Sequence, residues 1–249
     1  MSDSDRKGSA MILVVLLVFG ALAILALTLN KRGNGYDVET FCPLDENYLV
    51  THFIIDKTDP WSTQQKERIK KIIIRTKSNL QLHERLKIHL LDKNGLQADS
   101  PAFDLCNPGR GEQASPIYEN PRQIQQRFDS KFSEPLEIIL NRLLEPGVAP
   151  SSPLITSVNI FADSVHQQKL ILVSDLMENE GTISFYDAIP RYKDWAKSSS
   201  SILSSFGYSH IEVHYIDRKI IKSRTKDRVK TFWKTHLNNM GQKVTWNTL

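Results

Sequence analysis

The chain of 249 residues has only two cysteines, Cys42 and Cys106, and a net charge of only +4. So mild a balance gives no ground, by itself, for a nucleic-acid partner or a strongly acidic substrate. The sequence has no Gly-x-Ser-x-Gly elbow and no His-Glu-x-x-His helix, so acyl transfer and zinc hydrolysis have no motif to stand on. Asn107-Pro108-Gly109-Arg110-Gly111 lacks the Lys-Ser/Thr ending of a P-loop and reads as a surface turn. His52, His89 and His214 fall on expected strands without metal-ligand spacing and are read as core residues. There is no internal repeat.

The chain does have one long uncharged stretch, Met11 to Leu29 (MILVVLLVFGALAILALTL). At about 1.5 Å per residue a helix of this length nearly spans a hydrocarbon core of ~30 Å. A cleaved signal peptide would have a shorter apolar region and end at a small-residue cleavage site. The expected organisation is therefore a tail over residues 1–10, a transmembrane helix over 11–29, a linker over 30–41 and a single domain over 42–249. Arg6 and Lys7 before the span are matched by Lys31 and Arg32 after it, so charge counting does not orient it. A short tail retained in the cytoplasm places the domain on the non-cytoplasmic side of the cell membrane. There Cys42 and Cys106 could pair; the alternative is two buried thiols in a reducing compartment, and both readings stay open.

Beyond Gly33–Gly35 the pattern alternates between strands and helices. Tyr48 to Ile55 (YLVTHFII) reads as a buried strand ending at Asp56, followed by a helix capped by Ser62 or Thr63 with Ile69, Ile72, Ile73 and Leu80 on one face. Leu86 to Leu91 is a second strand, and the Asp92-Lys93-Asn94-Gly95 turn leads to a third around Ala102 to Leu105. Pro121 to Leu144 has helical periodicity, bent or interrupted at Pro135. Pro150-Ser151-Ser152-Pro153 reads as a helix start with serine at the cap, the helix ending near His166. Lys169 to Ser174 is a buried strand ending at Asp175; a helix from about Ile189 leads to a strand at Ile211 to Ile216. Ser198 to Ser201 reads as a solvated helix end, with Ile202, Leu203 and Phe206 as packing residues beyond it. A last helix, Thr225 to Met240, precedes Gly241 and a closing strand at Lys243 to Trp246. The fold class is α/β, a mostly parallel sheet with helices on both faces behind one transmembrane helix.

In such sheets ligands bind beyond the carboxyl ends of the strands, where the winding reverses. Two strands end there in acids, giving Asp56-Lys57-Thr58-Asp59-Pro60-Trp61-Ser62 and Ser174-Asp175, while Ser151 and Ser152 open the helix before the second. Carboxylates with hydroxyls and waters suit Mg²⁺ or Mn²⁺. This pattern, over about Cys42 to Leu249, resembles the von Willebrand factor A (vWA) domain. That family's metal-ion-dependent adhesion site joins an Asp-x-Ser-x-Ser loop, a threonine from a later loop and an aspartate after the fourth strand. The resemblance assigns Asp56, Thr58, Ser152 and Asp175 as metal ligands, with Asp59, Ser62 and Ser151 as further candidates. Pro60 stands in place of the loop's last hydroxyl residue and a serine in place of the threonine, so the site is a degenerate one.

The expected function is a membrane-anchored, non-enzymatic module that binds a protein partner through loops at this edge, by way of a divalent ion where one is held. Two rivals are a metal-dependent phosphohydrolase with Asp56 as nucleophile and Asp59 or Asp175 on Mg²⁺, and a structural subunit of an envelope or transport assembly. Thr58 stands where the enzyme's loop needs a second acid. The basic stretch Arg218, Lys219, Lys222, Arg224, Lys226, Arg228 and Lys230 reads as a solvated helix face rather than a nucleic-acid surface.

Overall fold

The computed structural model describes residues 15–22, 24, 35–44, 48–92, 95–115, 119–145, 147–161, 167–181, 183–199 and 207–249. Residues 15–22 are helical with exposed side chains. Among the described residues no helix is long and apolar enough to cross a membrane. The expected span is only partly covered: residues 11–14, 23 and 25–29 lie outside the described residues, as do the tail at 1–10 and the linker at 30–34.

The strands are β1 (Val50–Asp56), β2 (Arg85–Asp92), β3 (Gly95–Leu96), β4 (Phe103–Cys106), β5 (Gln168–Ser174), β6 (Asn179–Glu180), β7 (Ile183–Ser184), β8 (Tyr208–Tyr215) and β9 (Val244–Thr248). The main sheet runs β2-β1-β5-β8-β9 in parallel, with β3 and β4 antiparallel on the outer edge of β2. All seven residues of β1 are buried, because the strand has a neighbour on each side and helices over each face. Its side chains alternate. Phe53 and Ile55 face the core shared with Leu86, Ile88, Ile171 and Val173, whereas Ile54 faces the one shared with Leu170, Leu172, Ile211 and Val213.

The first core is covered by α1 (Thr63–Asn79), through Ile69, Ile72 and Ile73, and by α2 (Pro121–Phe128) with α3 (Glu134–Leu143). The second is covered by α4 (Leu154–Asn159), α5 (Tyr192–Ser198) and α6 (Ser223–Met240), whose Trp233 is fully buried. Ser62 caps α1 with a complete box: its Oγ accepts from Gln65 N–H at 3.2 Å and its own N–H donates to Gln65 Oε1 at 2.9 Å.

Two expected helices come out differently. The break anticipated at Pro135 is a single π-helical turn, Asp129–Ser133, joining α2 to α3 without leaving helical geometry. The wider turn shifts the hydrogen-bond register just ahead of a ring that has no N–H to donate, so the chain need not break. The helix expected to reach His166 ends at Asn159; residues 162–166 lie outside the described residues, as does the expected packing segment at 200–206.

Cys42 and Cys106 are disulfide-bonded, with Cα atoms 5.0 Å apart across 64 residues of sequence. The bridge holds residues 35–44 on the domain. There Tyr36 pairs with Pro43, and Thr40 C=O accepts from Cys106 N–H at 2.8 Å. Part of the linker expected at 30–41 is thus built into the fold.

His52 and His89 are buried side by side, with Nδ1 and Nε2 3.3 Å apart and Phe161 stacked on His52 and tilted against His89. Burial pushes His52 down to about 2 and His89 down to about 4, and burial likewise takes His236 in α6 to about 4.

Candidate functional site

The chain winds from β1 towards β2 on one side and reaches β5 on the other, so the winding reverses between β1 and β5. The parallel register pairs Ile55 with Val173, which sets Asp56 beside Ser174 at the carboxyl edge. Ser174 Oγ donates to Asp56 Oδ2 at 2.7 Å. Asp56 Oδ1 accepts from both the backbone N–H of Thr58 at 3.0 Å and its hydroxyl at 2.6 Å. Burial nevertheless raises the Asp56 carboxyl above its ordinary range, because loss of solvent outweighs these donors.

Asp175, one residue beyond β5, is also buried. Its Oδ1 accepts from Met177 N–H at 3.0 Å and its Oδ2 from Arg218 Nε at 2.9 Å. Burial pushes this carboxyl up to about 7, the nearby Asp56 adds to the rise and Arg218 opposes it. The guanidinium comes from the loop after β8. It also donates to Pro60 C=O, and its Nη2 lies 3.9 Å from Asp59 Oδ2. Asp59 further accepts from the Tyr186 hydroxyl at 3.2 Å. One arginine therefore ties together the β1–α1 loop and the end of β5.

A third segment closes on the same place. Ala149 N–H donates to Thr58 C=O at 2.9 Å, and Gly147 lies so near the Lys57 backbone that a Cβ there would stand 2.3 Å from the Lys57 carbonyl oxygen. Ser152 follows, but not as the expected helix cap. Its backbone exchanges hydrogen bonds with Asn179, at 2.8 and 3.0 Å, and Pro153 takes the cap position of α4. Pairing with Asn179 holds Ser152 extended, and leaves its Oγ buried without a hydrogen-bond partner.

The structure thus brings together Asp56, Thr58 and Asp175, with Asp59 at the rim and Ser152 in the third segment. Ser62 is exposed and occupied as the α1 cap; Ser151 is half-buried. Sequence reading missed Glu178 and Tyr186, and named Ser174 at the strand end and Arg218 in the basic stretch without giving either a place among the site residues. Arg218 had a usable signal, since it follows the strand adjacent to β5 as directly as Asp59 follows β1. The basic run after it made it look like the start of a solvated face.

A divalent ion such as Mg²⁺ needs about six oxygen ligands. Here both oxygens of Asp56 and both of Asp175 already accept from protein donors, and a cationic side chain lies against Asp175. That arrangement fits an arginine better than an ion. Among the described residues no group of three or more His, Cys, Asp and Glu side chains could hold a metal.

Glu178 Oε2 accepts from Ile155 N–H at 2.7 Å, and burial pushes its carboxyl up to about 8. Stability should therefore fall as pH rises from about 4.5 towards 8, because the folded state keeps a proton that the unfolded chain releases. The depressed histidines His52, His89 and His236 act in the opposite sense, contributing stability above about pH 6.5 that is lost as pH falls. The raised carboxyls of Asp175 and Asp56 act in the same sense as Glu178 and oppose the histidines below about pH 6.5, so urea unfolding is expected to show stability falling as pH rises from about 6.5 towards 8. Glu178→Gln should make this alkaline loss shallower without abolishing it, since Asp175 remains; an unchanged loss would exclude a contribution from Glu178.

No family model and no curated protein matches the sequence. Among solved structures, the crystal structure of the SpRpn10 VWA domain is similar at 9% identity, over 81% of this chain and 88% of that one, with a TM-score of 0.36. The human COPII-coat protein Sec24c is similar at 9% identity, over 81% of this chain but only 29% of that one, with a TM-score of 0.35. At these values the fold rests on the strand order described above.

Proposed function

We propose that the chain is a membrane-anchored, vWA-like interaction module that docks a protein partner on the loops at the carboxyl edge of its sheet. The observation that carries this reading is the surface around the Asp59–Arg218 pair. Val148, Tyr186 and Ile220 are 73%, 57% and 94% exposed, and each belongs to a loop tied to that centre. Val148 precedes the residue bonded to Thr58, Tyr186 donates to Asp59, and Ile220 lies two residues beyond Arg218. Apolar side chains around a small charged centre form the kind of surface that marks recognition sites. The uncharged run at 11–29 supports anchoring, and the Cys42–Cys106 bridge supports an oxidising, non-cytoplasmic side.

The phosphohydrolase reading has no observation in its favour, because Asp56 is buried with both carboxylate oxygens engaged. Two experiments test the proposal. Alkaline carbonate should leave the full-length chain in the membrane pellet; release into the supernatant removes the anchor. With the detergent-solubilised chain as bait, Tyr186→Ala combined with Ile220→Ser should reduce retained partner by tenfold or more at unchanged thermal stability. Equal retention would move the docking surface elsewhere.

A further inference from the structure

The side chain of Arg218 is only 16% exposed, unusually enclosed for an arginine in a loop, and its contacts explain why. Nε donates to Asp175 at the end of β5, and Nη1 donates to the Pro60 carbonyl in the β1–α1 loop. These are the two segments whose carboxylates the sequence offered to a metal. Of the five N–H donors of a guanidinium, two are used in this way. Among the described residues the one other acid within ion-pair distance is Asp59, 3.9 Å from Nη2 and beyond hydrogen-bond distance. Three donors thus have no acceptor among the described residues, and Nη2, which carries two of them, is the atom near Asp59.

We propose that Arg218 is a built-in replacement for a divalent cation: it joins the β1–α1 loop to Asp175 and offers its unused N–H donors to a carboxylate of the partner, without any metal. The assignment deepens the docking function proposed above and rests on it for the identity of the ligand. An ion and a guanidinium do the same electrostatic work here, drawing together two acidic loops and presenting residual positive charge outward. The guanidinium adds direction, because two parallel N–H groups match the two oxygens of a carboxylate. Pro60, which removes a hydroxyl ligand from the loop, contributes its carbonyl as an acceptor for arginine instead.

The full-length protein in detergent provides the test, with no partner required. Wild-type thermal stability should be unchanged between EDTA and millimolar Mn²⁺. Arg218→Ala should unfold at a lower temperature in EDTA and recover part of the loss in Mn²⁺, because Asp175 Oδ2 then loses its cationic partner while the Asp56 carboxyl stays nearby. Asp175→Asn introduced beside it should abolish that recovery. A saturable Mn²⁺ stabilisation of the wild type, or an Arg218→Ala protein indifferent to Mn²⁺, overturns the replacement. Should Arg218→Ala fail to fold in EDTA, Arg218→Gln serves for the same comparison. For the carboxylate, a polyglutamate peptide is titrated in EDTA. It should bind the wild type and bind the arginine variant at least tenfold more weakly, whereas equal binding, no binding or Mn²⁺-dependent binding to the wild type overturns that assignment. Neither titration involves the cellular partner, so failed partner capture with both results intact would count against the docking function alone.

Discussion

Cys106→Ser is expected to lower the unfolding free energy by about 4 kcal/mol, the cost of freeing a loop of this length in the unfolded chain. The loop spans 64 residues and includes β1, α1 and β2, so the unfolded ensemble gains much freedom once the bond is gone. Both half-cystines are buried, Cys106 at the end of β4 opposite Arg85 and Cys42 in the segment before β1. Equilibrium urea unfolding of the wild type with and without reductant should show the same loss. Cys42→Ala with Cys106→Ala should repeat it without a lone thiol. A loss below about 1 kcal/mol in all three would mean that residues 35–44 hold to the domain without the bridge. The outcome bears on the site only indirectly, since the bridge lies at the amino ends of β1 and β2 and the acids lie at the carboxyl ends.

Trp233→Ala is expected to cost about 3–5 kcal/mol, in the range for emptying a large fully buried aromatic position. The more informative variant is Trp233→Phe, which keeps most of the volume. Trp233 Nε1 donates to the Leu176 carbonyl at 2.8 Å, and Leu176 has a φ of 64°, unusual for a non-glycine residue. Its N–H is held by Ser174 Oγ at 2.7 Å. The two bonds keep the turn after Asp175 in a conformation that it would otherwise leave. Losing the indole N–H leaves the Leu176 carbonyl with only the 3.2 Å bond from Glu178 N–H, at a cost of about 0.5–1.5 kcal/mol. Amide exchange at Leu176 and Met177 should then accelerate well beyond that at Ile72 on the other face. Uniform acceleration would mean that Trp233 supports the core but not the site.

The sheet was legible in the sequence wherever burial on two faces forces an uninterrupted apolar run, as in β1 and β5, and α1 was legible from its cap and its isoleucine spacing. Segments ordered by long-range pairing were not. Ser152-Pro153 has the composition of a helix start, yet the backbone partner that settles its conformation, Asn179, lies 27 residues on, and no local signal carries that pairing. Pro135 suggested a break because sequence patterns assume α-helical hydrogen bonding, whereas one π turn accommodates the ring.

The candidate site was half legible for a related reason. Strand ends mark which acids reach the carboxyl edge, so Asp56 and Asp175 could be placed together. Which cation neutralises them depends on where a loop 43 residues beyond Asp175 returns, as Arg218 does here. Charge composition cannot supply that, because Arg218 sits among six other basic residues between it and Lys230 that have no such role in the site.

The disulfide also decides how mechanical load would enter the domain. A pull on the chain at residue 35 is shared between the backbone leading to β1 and, through Cys42, the end of β4 beside the start of β2. A bound partner would pull from the opposite end, on the loops beyond Asp56 and Asp175. Tension between the two then runs along the strand axes, so the hydrogen bonds joining β1 to β2 and to β5 are sheared together instead of being peeled apart one at a time. For a domain tethered on one side and gripped on the other, that is the direction in which a sheet yields last.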